Sequence, residues 1–418
     1  MKLENYELDK FLGKGAFGEV YLTTKKGEDK KFATKKLDRA EMEKEEDAMK
    51  YLRNEIVILQ YLEHPNIVKF EEVKKTKKHF YIITEYCNGG DLTGALEKYQ
   101  EKYGKPFPEE IVQHLMKQII SAFKYLHSLK IIHRDVKLDN ILLNYENEED
   151  KENLNLMKAQ VKIIDFGFAC KVSPKGLQYS VLGSPINMDP LILKKLTDST
   201  GATRELGYDM SADIWSIGTI CYEMLIGKSA FDSNDIKELS DKIEKGAYKV
   251  PTNISAELVS FLNGMLQYEG KNRLNADQLS RHAFLTKDVK QFKRINLNEI
   301  SNKIEDNQIE VDTHENKTFL QKKPIKNSTI WSIYKGNQEN VLTNISGNEF
   351  IDPVDEKEEQ FFKESKKNTL LQLPSKGIPD NPKNQKINEM TEDDIKNLQK
   401  GENVKEMGFS YSGNIFGD

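Results

Sequence analysis

Hydrophobic and polar residues alternate over residues 6–12 and 19–24, which is the period of a half-buried β-strand, and the two stretches predict a hairpin. Shorter apolar runs over residues 32–35 and 80–87 predict two further strands. Between these runs, apolar residues recur at helical spacing over residues 51–62, and Glu55 interrupts the apolar stripe. The first part of the chain is therefore predicted to combine strands with one helix.

The rest of the chain has a different pattern. An apolar run over residues 213–226 predicts a core helix, because it is shorter than the ~20 residues needed to cross a bilayer and contains Asp213 and Glu223. Two polar insertions, residues 145–160 and 197–207, are predicted to be surface loops. Residues 286–418 are polar, rich in Asn and without sustained periodicity. Such a segment buries too little apolar surface to offset its chain entropy, so it is predicted to be mostly disordered.

A glycine-rich stretch lies in the turn of the predicted hairpin. It follows the pattern G-x-G-x-x-G-x-V, with Gly13, Gly15, Gly18 and Val20 at the fixed positions. Glycines allow backbone N–H groups to approach phosphate oxygens, because no Cβ stands in the way. Dinucleotide-binding folds use a similar pattern, but there a helix follows the third glycine, and none is predicted here. The stretch therefore indicates a phosphate-binding loop between two strands.

A lysine and a glutamate that are distant in sequence are candidates for an ion pair. Lys35 ends the short strand at residues 32–35, and Glu55 stands on the apolar stripe of the predicted helix. An unpaired carboxylate in such a position is costly. Pairing with Lys35 removes this cost and aims the lysine at nucleotide phosphates, whereas the alternative is a solvated surface lysine.

Two further motifs carry the candidate chemistry. Residues 133–140 match H-R-D-x-x-x-x-N and place an acid, Asp135, a lysine, Lys137, and an amide, Asn140, on one short loop. The D-F-G motif that begins at Asp165 adds another carboxylate. Phosphoryl transfer needs a base that orients a hydroxyl, cations that neutralise the phosphates, and oxygen ligands for Mg²⁺. These residues supply that set.

With these motifs in this order, residues 4–285 resemble a eukaryotic-type serine/threonine protein kinase. The D-F-G motif with its neighbours and the run Gly183-Ser184-Pro185 are most similar to the autophagy-initiation kinase group or to calcium/calmodulin-dependent-type kinases. The resemblance implies an α+β, bilobal fold, with an antiparallel sheet and one helix over residues 4–86 and a mainly helical lobe over residues 87–285. The tail, residues 286–418, follows. The implied reaction is transfer of the γ-phosphate of ATP to Ser or Thr hydroxyls of protein substrates, with Mg²⁺.

The resemblance also implies roles for individual residues. Lys35, paired with Glu55, would bind phosphates, Asp135 would be the catalytic base, and Lys137 would contact the γ-phosphate. Asn140 and Asp165 would hold Mg²⁺. The ATP site would be formed by Leu12, Gly13, Gly15, Gly18, Val20, Ala33, Lys35, Glu85, Cys87, Asp91 and Leu142.

The segment after the D-F-G motif departs from the family pattern at its end. Asp189-Pro190-Leu191 stands where the family normally has Ala-Pro-Glu, and that glutamate usually pairs with an arginine, which by motif is Arg273. Leu191 cannot accept this bond, and an unpaired buried arginine is costly, so Asp189 is expected to replace the glutamate. The departure also keeps a second function open, that of a pseudokinase scaffold that binds nucleotide or partners without efficient turnover.

Two further expectations follow from the resemblance. Kinases with an arginine before the catalytic aspartate commonly need a phosphate on the activation segment, and Ser180 is the expected site, with Tyr179 and Ser173 as alternatives. Asp91 and Asp139 occupy positions that face an arginine upstream of the phosphorylated residue in basic-directed kinases. Ribose binding is an equally good use of Asp91.

Composition limits the remaining classes of function. A net charge of −5 and a pI near 6.0 give no reason to expect a nucleic acid or an anionic membrane as partner. Three cysteines without a C-x-x-C pair indicate a reducing compartment, and no signal peptide is evident, so a cytoplasmic location without membrane insertion is expected. Short apolar islands in the tail, such as that around Trp331, make it a candidate docking segment for a partner protein.

Overall fold

The computed structural model describes residues 2–3, 5–14, 18–44, 46–172, 177–203, 205–246, 248–250, 254–292 and 310–311. The strands are β1 Lys2–Leu3, β2 Tyr6–Lys14, β3 Glu19–Lys25, β4 Lys31–Asp38, β5 Phe70–Lys75, β6 His79–Glu85, β7 Ile131–Ile132, β8 Ile141–Asn144, β9 Gln160–Ile163, β10 Cys170–Lys171, β11 Lys249–Val250 and β12 Glu310–Val311. The helices are α1 Arg39–Lys44, α2 Glu46–Tyr61, α3 Leu92–Tyr103, α4 Glu109–Ser128, α5 Glu148–Glu152, α6 Pro190–Thr197, α7 Ser211–Ile226, α8 Ile236–Glu244, α9 Ala256–Met265, α10 Ala276–Ser280 and α11 Ala283–Thr286. Of these elements, all five strands longer than four residues precede residue 86, and nine of the eleven helices follow it.

The first lobe is built on an antiparallel sheet with the strand order β1-β2-β3-β4-β6-β5. The glycine-rich turn joins β2 to β3 and sets Gly13 opposite Val20, so the predicted hairpin is confirmed. One group of buried side chains comes from the sheet alone, while the apolar side of α2 belongs to the larger core that continues into the second lobe. The predicted sheet and its helix are thus both present.

A short helix, α1, lies between β4 and α2 and was not predicted. The Asp38 carboxylate accepts hydrogen bonds from the backbone N–H groups of Ala40 (2.9 Å) and Glu41 (3.1 Å), which satisfies donors of the first helical turn. A helix of six residues is too short to show amphipathic periodicity. The prediction of one helix in this lobe is therefore corrected to two.

The second lobe is organised around α4 and α7. Nearly the whole of α7 is buried, as predicted for a core helix. The two-stranded ladders β7–β10 and β8–β9 lie at the start of this lobe. The H-R-D loop joins β7 to β8, and Asp165 follows β9. Both candidate catalytic motifs therefore lie at the ends of these short strands.

The two polar insertions are more ordered than predicted. In the insertion of residues 145–160, α5 is exposed, but Leu156 and Ala159 are buried and Gln118 Nε2 donates to the Ala159 carbonyl oxygen at 3.0 Å. In the insertion of residues 197–207, the Asp198 carboxylate accepts five hydrogen bonds, from Thr200, Gly201 and Thr203. Buried apolar side chains hold the first insertion in place, and the hydrogen bonds to Asp198 hold the second. The polar composition of both insertions had suggested loops.

The described part of the second lobe continues past residue 285. Gln113 Nε2 donates to the Lys287 carbonyl oxygen at 2.9 Å, and the rings of Phe284 and Phe292 lie 5.7 Å apart. Apart from residues 286–292 and 310–311, the tail predicted to be mostly disordered, with Trp331, lies outside the described residues. In residues 310–311, β12 pairs in parallel with β11. Among the helices described, none has the length and apolar character needed to cross a bilayer.

Candidate active site

The predicted Lys35–Glu55 ion pair is present. Lys35 Nζ lies 2.9 and 3.0 Å from the two carboxylate oxygens of Glu55, and 3.6 Å from Asp165 Oδ1. Burial alone would lower the pKa of Lys35, but the carboxylates of Asp165 and Glu55 outweigh it and raise that pKa. Lys35 on β4 therefore lies between Glu55 on α2 and Asp165 of the D-F-G motif, and it stays positively charged.

Asp165 is held in an uncommon backbone conformation. Its φ angle is 61°, in the left-handed region that non-glycine residues seldom adopt. Phe166 is completely buried, its ring 5.0 Å from that of His133, and this packing fixes the residue next to Asp165. Burial works against ionisation of Asp165, but the charges of Lys35 and Lys137 outweigh it and lower its pKa. Asp165 is therefore a charged carboxylate.

The H-R-D loop forms a second cluster around Asp135. Asp135 Oδ2 accepts hydrogen bonds from Lys137 Nζ (2.8 Å) and Asn140 Nδ2 (2.9 Å). Asp135 Oδ1 accepts one from the Ser184 hydroxyl at 2.7 Å, and Lys137 Nζ also donates to Ser184 Oγ at 3.3 Å. One oxygen of this carboxylate is therefore oriented by an amide and a lysine, while the other holds a hydroxyl.

Asp213 anchors this loop from α7. Its carboxylate accepts the backbone N–H groups of His133 and Arg134, each at 3.0 Å, and lies 2.9 Å from His127 Nε2. Arg134 has a φ angle of 69°, so the loop turns through a left-handed residue at this point. A completely buried carboxylate that takes two consecutive N–H groups fixes the backbone immediately before Asp135.

The glycines of the phosphate-binding loop differ in what constrains them. A Cβ on Gly18 would lie 2.2 Å from the Lys36 carbonyl oxygen, whereas one on Gly13 would meet nothing within 4 Å. Gly18 is therefore required by the close approach of β4. Gly13 has no steric requirement of this kind, and Gly15 lies outside the described residues.

The apolar residues predicted to contact adenine follow the strand ladders. Val20 is opposite Lys35, and Ala33 is opposite Thr84 at the end of β6. Leu142 bridges Asp91 across the segment that joins the lobes, and Leu12 is 40 % exposed at the end of β2. These strand pairings link the predicted adenine-contacting residues to Lys35 and to the segment that joins the lobes. Their contact with ATP stays a prediction.

Three polar residues of the inter-lobe segment have structural partners. The Glu85 carboxylate lies 2.8 Å from Lys162 Nζ and accepts the Lys69 N–H at 2.7 Å, and the Glu85 N–H donates to the Lys69 carbonyl oxygen at 2.9 Å, so contact between Glu85 and adenine stays a prediction. Burial raises the pKa of Cys87 to about 12, so it is a neutral thiol. Asp91 Oδ1 caps α3 by accepting the Gly94 N–H at 2.7 Å.

The oxygen donors near Asp165 fit the Mg²⁺ ion that the resemblance implies. Both hydrogen bonds of Asn140 to Asp135 use its amide nitrogen, which leaves the carbonyl oxygen as a ligand. The described residues contain no cluster of three or more His, Cys, Asp or Glu side chains able to hold a metal. Mg²⁺ is usually held by one or two protein oxygens together with substrate phosphates and water, and Asn140 with Asp165 match that need.

The predicted replacement of the missing glutamate is confirmed. Arg273 Nη1 pairs with Asp189 Oδ2, and both side chains are almost completely buried. The other donors of Arg273 reach the carbonyl oxygens of Ser211, Gln267 and Tyr268 at 2.7–3.0 Å. The carboxylate thus moves two residues towards the N-terminus while the arginine keeps a charged partner.

Two residues next to the cluster were not predicted as functional. Ser184 contacts Asp135, although the sequence marked it only as part of a Gly-Ser-Pro run. Glu223 was recognised only as an interruption of an apolar helix, yet burial and the charge of Asp139 raise its pKa to about 7. A carboxylate in an otherwise apolar run was the one sign in the sequence that Glu223 has an unusual environment.

Comparison with known proteins agrees with this geometry. The protein kinase domain model matches residues 6–285. The chain is 33 % identical over 297 residues to calcium-dependent protein kinase 5 of Plasmodium falciparum, covering 70 % of this chain and 46 % of that protein. It is 32 % identical over 288 residues to the serine/threonine-protein kinase atg1 of Dictyostelium discoideum, covering 68 % and 40 %. It is 31 % identical over 289 residues to a probable myosin light chain kinase of Dictyostelium discoideum, covering 68 % and 84 %.

The first two relatives are both more than twice as long as the region they share with this chain. Both groups named in the predicted resemblance, the atg1 kinases and the calcium-dependent kinases, are among the relatives. The predicted family and the predicted fold class are therefore confirmed. The chain belongs to the protein kinase family.

Proposed function

We propose that the chain is an active serine/threonine protein kinase that transfers the γ-phosphate of ATP to protein hydroxyls with Mg²⁺. The observation that carries the proposal is the hydrogen bond from the Ser184 hydroxyl to Asp135 Oδ1, at 2.7 Å. It shows that this carboxylate accepts a serine O–H while Lys137 and Asn140 occupy its other oxygen. A base within hydrogen-bond reach of a hydroxyl is the first geometric requirement of the reaction.

The remaining residues prepare the phosphates and the base. Lys35, held by Glu55, presents a positive charge to the phosphates, and Asn140 with Asp165 would hold the Mg²⁺, which neutralises phosphate charge when bound. Lys137 lies between the Asp135 carboxylate and Ser184, where a positive charge stabilises the developing negative charge on the transferred group. Asp135 orients the substrate hydroxyl and accepts its proton.

A pseudokinase scaffold has less support than an active kinase. Its main argument was Leu191, which removes the usual partner of Arg273, and Asp189 supplies that partner. Among the described residues, every side chain predicted to act on phosphates or Mg²⁺ lies in one of two hydrogen-bonded clusters. Active transfer therefore explains their arrangement better.

Replacement of Asp135 by Asn tests the function. Asn140 and Lys137 can still donate to the new amide oxygen, so the loop should remain folded and nucleotide affinity should change little. Turnover should fall ~10²–10⁴-fold, because the amide cannot accept the proton. Phosphate transfer from labelled ATP to a peptide library measures the first effect, and nucleotide titration the second. Turnover within twofold of wild type would contradict the assignment of Asp135 as the base.

We also propose that the substrates carry an arginine upstream of the target hydroxyl, near Asp91 and Asp139. Asp139 is supported in this role by Glu223, since burial raises the pKa of both carboxyl groups and the charge of Asp139 raises that of Glu223 further. A guanidinium relieves such repulsion. Peptides with arginine or alanine three residues before the serine should differ in kcat/KM, and equal values would contradict the proposal.

For the tail, we propose a docking role towards a partner protein, in the cytoplasm, with no nucleic acid as substrate. The support is the sequence alone, through the apolar islands of residues 286–418, the acidic net charge and the reduced cysteines. A variant that lacks residues 312–418 keeps all described residues, so it should retain transfer to short peptides and lose phosphorylation of a docked protein. Equal loss on both substrates would contradict a docking role.

A further inference from the structure

The segment that joins the two lobes is held on both sides of Cys87. Before Cys87, the Glu85 N–H donates to the Lys69 carbonyl oxygen at 2.9 Å. After it, the Gly89 N–H donates to the Leu143 carbonyl oxygen at 2.8 Å. Among the described residues, none forms a hydrogen bond with the backbone N–H or carbonyl of Cys87, although its side chain is buried. Cys87 therefore keeps a donor and an acceptor for adenine, and its neighbours decide where these two groups point.

The side chain of Asn88 holds the chain immediately after Cys87. Its Oδ1 accepts the backbone N–H of Tyr145 at 2.9 Å, and its Nδ2 donates to the Tyr145 carbonyl oxygen at 3.0 Å. The amide thus pairs with both backbone groups of one residue, as the backbone of a neighbouring β-strand would. Two bonds fix the position and the rotation of this amide, and a single peptide bond connects Asn88 to Cys87.

The ring of Tyr145 packs against the same segment. A Cβ on Gly89 would lie 2.7 Å from Tyr145 Cε2, so no side chain fits between the ring and the backbone of Gly89. Tyr145 is 3 % exposed, and burial raises its pKa to about 12. Its hydroxyl has no hydrogen-bond partner among the described residues, which is unfavourable for a buried polar group. Contact with Gly89, and not a hydrogen bond of the hydroxyl, therefore accounts for the position of the ring.

Tyr145 is also the first residue of the insertion of residues 145–160, and the rest of that insertion is held by the second lobe. Lys102 Nζ on α3 donates to the Asn153 carbonyl oxygen at 3.1 Å, and Gln118 Nε2 on α4 donates to the Ala159 carbonyl oxygen at 3.0 Å. Asn88 therefore pairs with a residue whose following chain is fixed to two helices. The insertion connects these helices to the segment that joins the lobes.

We propose that Asn88 and Tyr145 are positioning residues for the nucleotide, through which the insertion sets the backbone of Cys87 against adenine. The proposal rests on the proposed kinase function, in which ATP supplies the phosphoryl group. Neither side chain needs to touch ATP, because both act through the backbone next to them. The phosphates meet Lys35 and Asp165 elsewhere in the site, so the effect should concern the adenine end of the nucleotide alone.

Asn88→Ala in the full-length protein tests the proposal without turnover. The substitution removes both bonds to Tyr145, so ADP with Mg²⁺ and adenosine should each bind about three- to tenfold more weakly in calorimetric titrations. The ratio of the two affinities should stay unchanged, because the change lies at the adenine end. A loss confined to ADP would place the effect at the phosphates and overturn the proposal, as would unchanged affinity for both ligands.

Gln113→Ala is the matched control for a loss of stability. Gln113 is also a buried amide that donates to two backbone carbonyl oxygens, those of Phe284 (2.5 Å) and Lys287 (2.9 Å). Its removal should lower the thermal stability about as much as Asn88→Ala and leave both affinities unchanged. An equal loss of affinity in Gln113→Ala would show that general destabilisation explains the result, and the positioning role would be refuted.

Two variants of Tyr145 test the ring separately from the hydroxyl. Tyr145→Ala removes the contact with Gly89 and should weaken binding of ADP and adenosine to a similar extent as Asn88→Ala. Tyr145→Phe keeps the ring and should bind both ligands as the wild-type protein does. Equal losses in the two variants, or a loss in neither, would remove Tyr145 from the proposal.

Kinetics with a peptide substrate separate positioning from chemistry. Asn88→Ala should raise the KM for ATP by the factor found in the titrations, while kcat and the KM for the peptide change less than twofold. A lower kcat at an unchanged KM for ATP would overturn the proposal. Because the titrations need no turnover, an inactive protein with the expected change in affinity would refute the proposed function and leave the positioning role standing. An active enzyme with unchanged affinities would refute the positioning role alone.

Discussion

Two cationic clusters of this molecule lie on either side of the D-F-G motif and are balanced in opposite ways. Lys35 is surrounded by the carboxylates of Glu55 and Asp165, and their charges raise its pKa despite burial. Arg134, beyond the motif, donates to a carbonyl oxygen and a hydroxyl, and no carboxylate among the described residues pairs with it. The first cluster is complete before any ligand binds, and the second is not.

This difference separates two kinds of task. A lysine that must meet phosphates in every reaction cycle is best kept charged and fixed in position, and paired carboxylates do both. An arginine with only neutral resting partners can still take an anion, and the activation-segment phosphate that the family resemblance implies would have no carboxylate to displace there. A positive charge is thus balanced by carboxylates in one cluster and left without an anion in the other.

Replacement of Lys35 by Met should lower the free energy of unfolding more than any other variant considered below. It leaves Glu55 buried beside Asp165 without a cation, and removal of one partner of a buried pair costs about 3–5 kcal/mol. Chemical denaturation without nucleotide measures this loss. Glu55→Gln with Lys35→Met should be more stable than Lys35→Met alone, because the second change removes the unpaired charge.

The loss in Lys35→Met should also depend on pH. Burial and the charge of Asp165 both raise the pKa of Glu55, and the substitution removes the opposing effect of Lys35. A carboxyl group whose folded pKa lies above its unfolded value stabilises the fold at low pH, and this contribution is lost as pH rises through the folded pKa. The deficit should therefore be larger at pH 7.5 than at pH 5. An equal deficit at both values would show that Glu55 is not the source.

A third buried cation, Arg273, lets the comparison be sharpened, because its partners include both a carboxylate and carbonyl oxygens. Asp189→Asn keeps an oxygen for the cap of α6, where Asp189 Oδ1 accepts the Leu191 N–H at 2.8 Å, but removes the charge opposite Arg273. The expected loss is about 1.5–3 kcal/mol in denaturation experiments.

Leu191→Glu provides the matched control for this variant. Restoring the usual family residue should not stabilise the protein by more than about 0.5 kcal/mol, since Arg273 is already paired. A larger gain would show that Asp189 is an incomplete substitute.

The sequence predicted the first of these clusters better than the second, for physical reasons. Asp165 begins the D-F-G motif, Lys35 ends a predicted strand, and Glu55 stood out because a charge on an apolar helix face demands a partner. Lys195, whose Nζ donates to the Tyr179 carbonyl oxygen beside Ser180, gave no such signal, because a lysine near a helix C-terminus is usually solvated. Its orientation depends on tertiary contacts with Tyr179 and Tyr208.

The fold, too, was predicted only where hydrophobic periodicity signals it. Strand alternation and the period of α2 are local properties, so the first sheet and its main helix were predicted. The first turn of α1 and the loop around Asp198 depend on side-chain hydrogen bonds that span two to five residues. Hydrophobic periodicity does not reveal such bonds. Sequence motifs therefore located the chemistry, and the structure was needed for the residues that hold it.

Replacement of Arg134 by Met in unphosphorylated protein should have a smaller effect on stability than Lys35→Met or Asp189→Asn. The substitution removes a partly buried charge that has only neutral partners, so the lost hydrogen bonds are offset by the lost desolvation cost. Denaturation should show a change within about 1 kcal/mol of wild type. A loss as large as that of Lys35→Met would contradict the view that the resting Arg134 cluster is electrostatically incomplete.

The smallest expected effect concerns pH and substrate choice at Glu223. Burial, followed by the charge of Asp139, raises the pKa of Glu223 to about 7, so it is largely neutral at pH 6 and largely ionised at pH 8. An arginine of the substrate is attracted only by the ionised form. The ratio of kcat/KM for an arginine peptide to that for its alanine counterpart should therefore rise about two- to fivefold between these pH values, and the bound cation should move the midpoint below 7. The ratio cancels pH effects on the chemical step that both peptides share.

Two variants serve as controls. Glu223→Gln should flatten the pH profile of the ratio, whereas Glu101→Gln, which changes an exposed carboxylate on α3, should preserve it. A flat profile in the wild-type protein would show that Glu223 takes no part in arginine recognition.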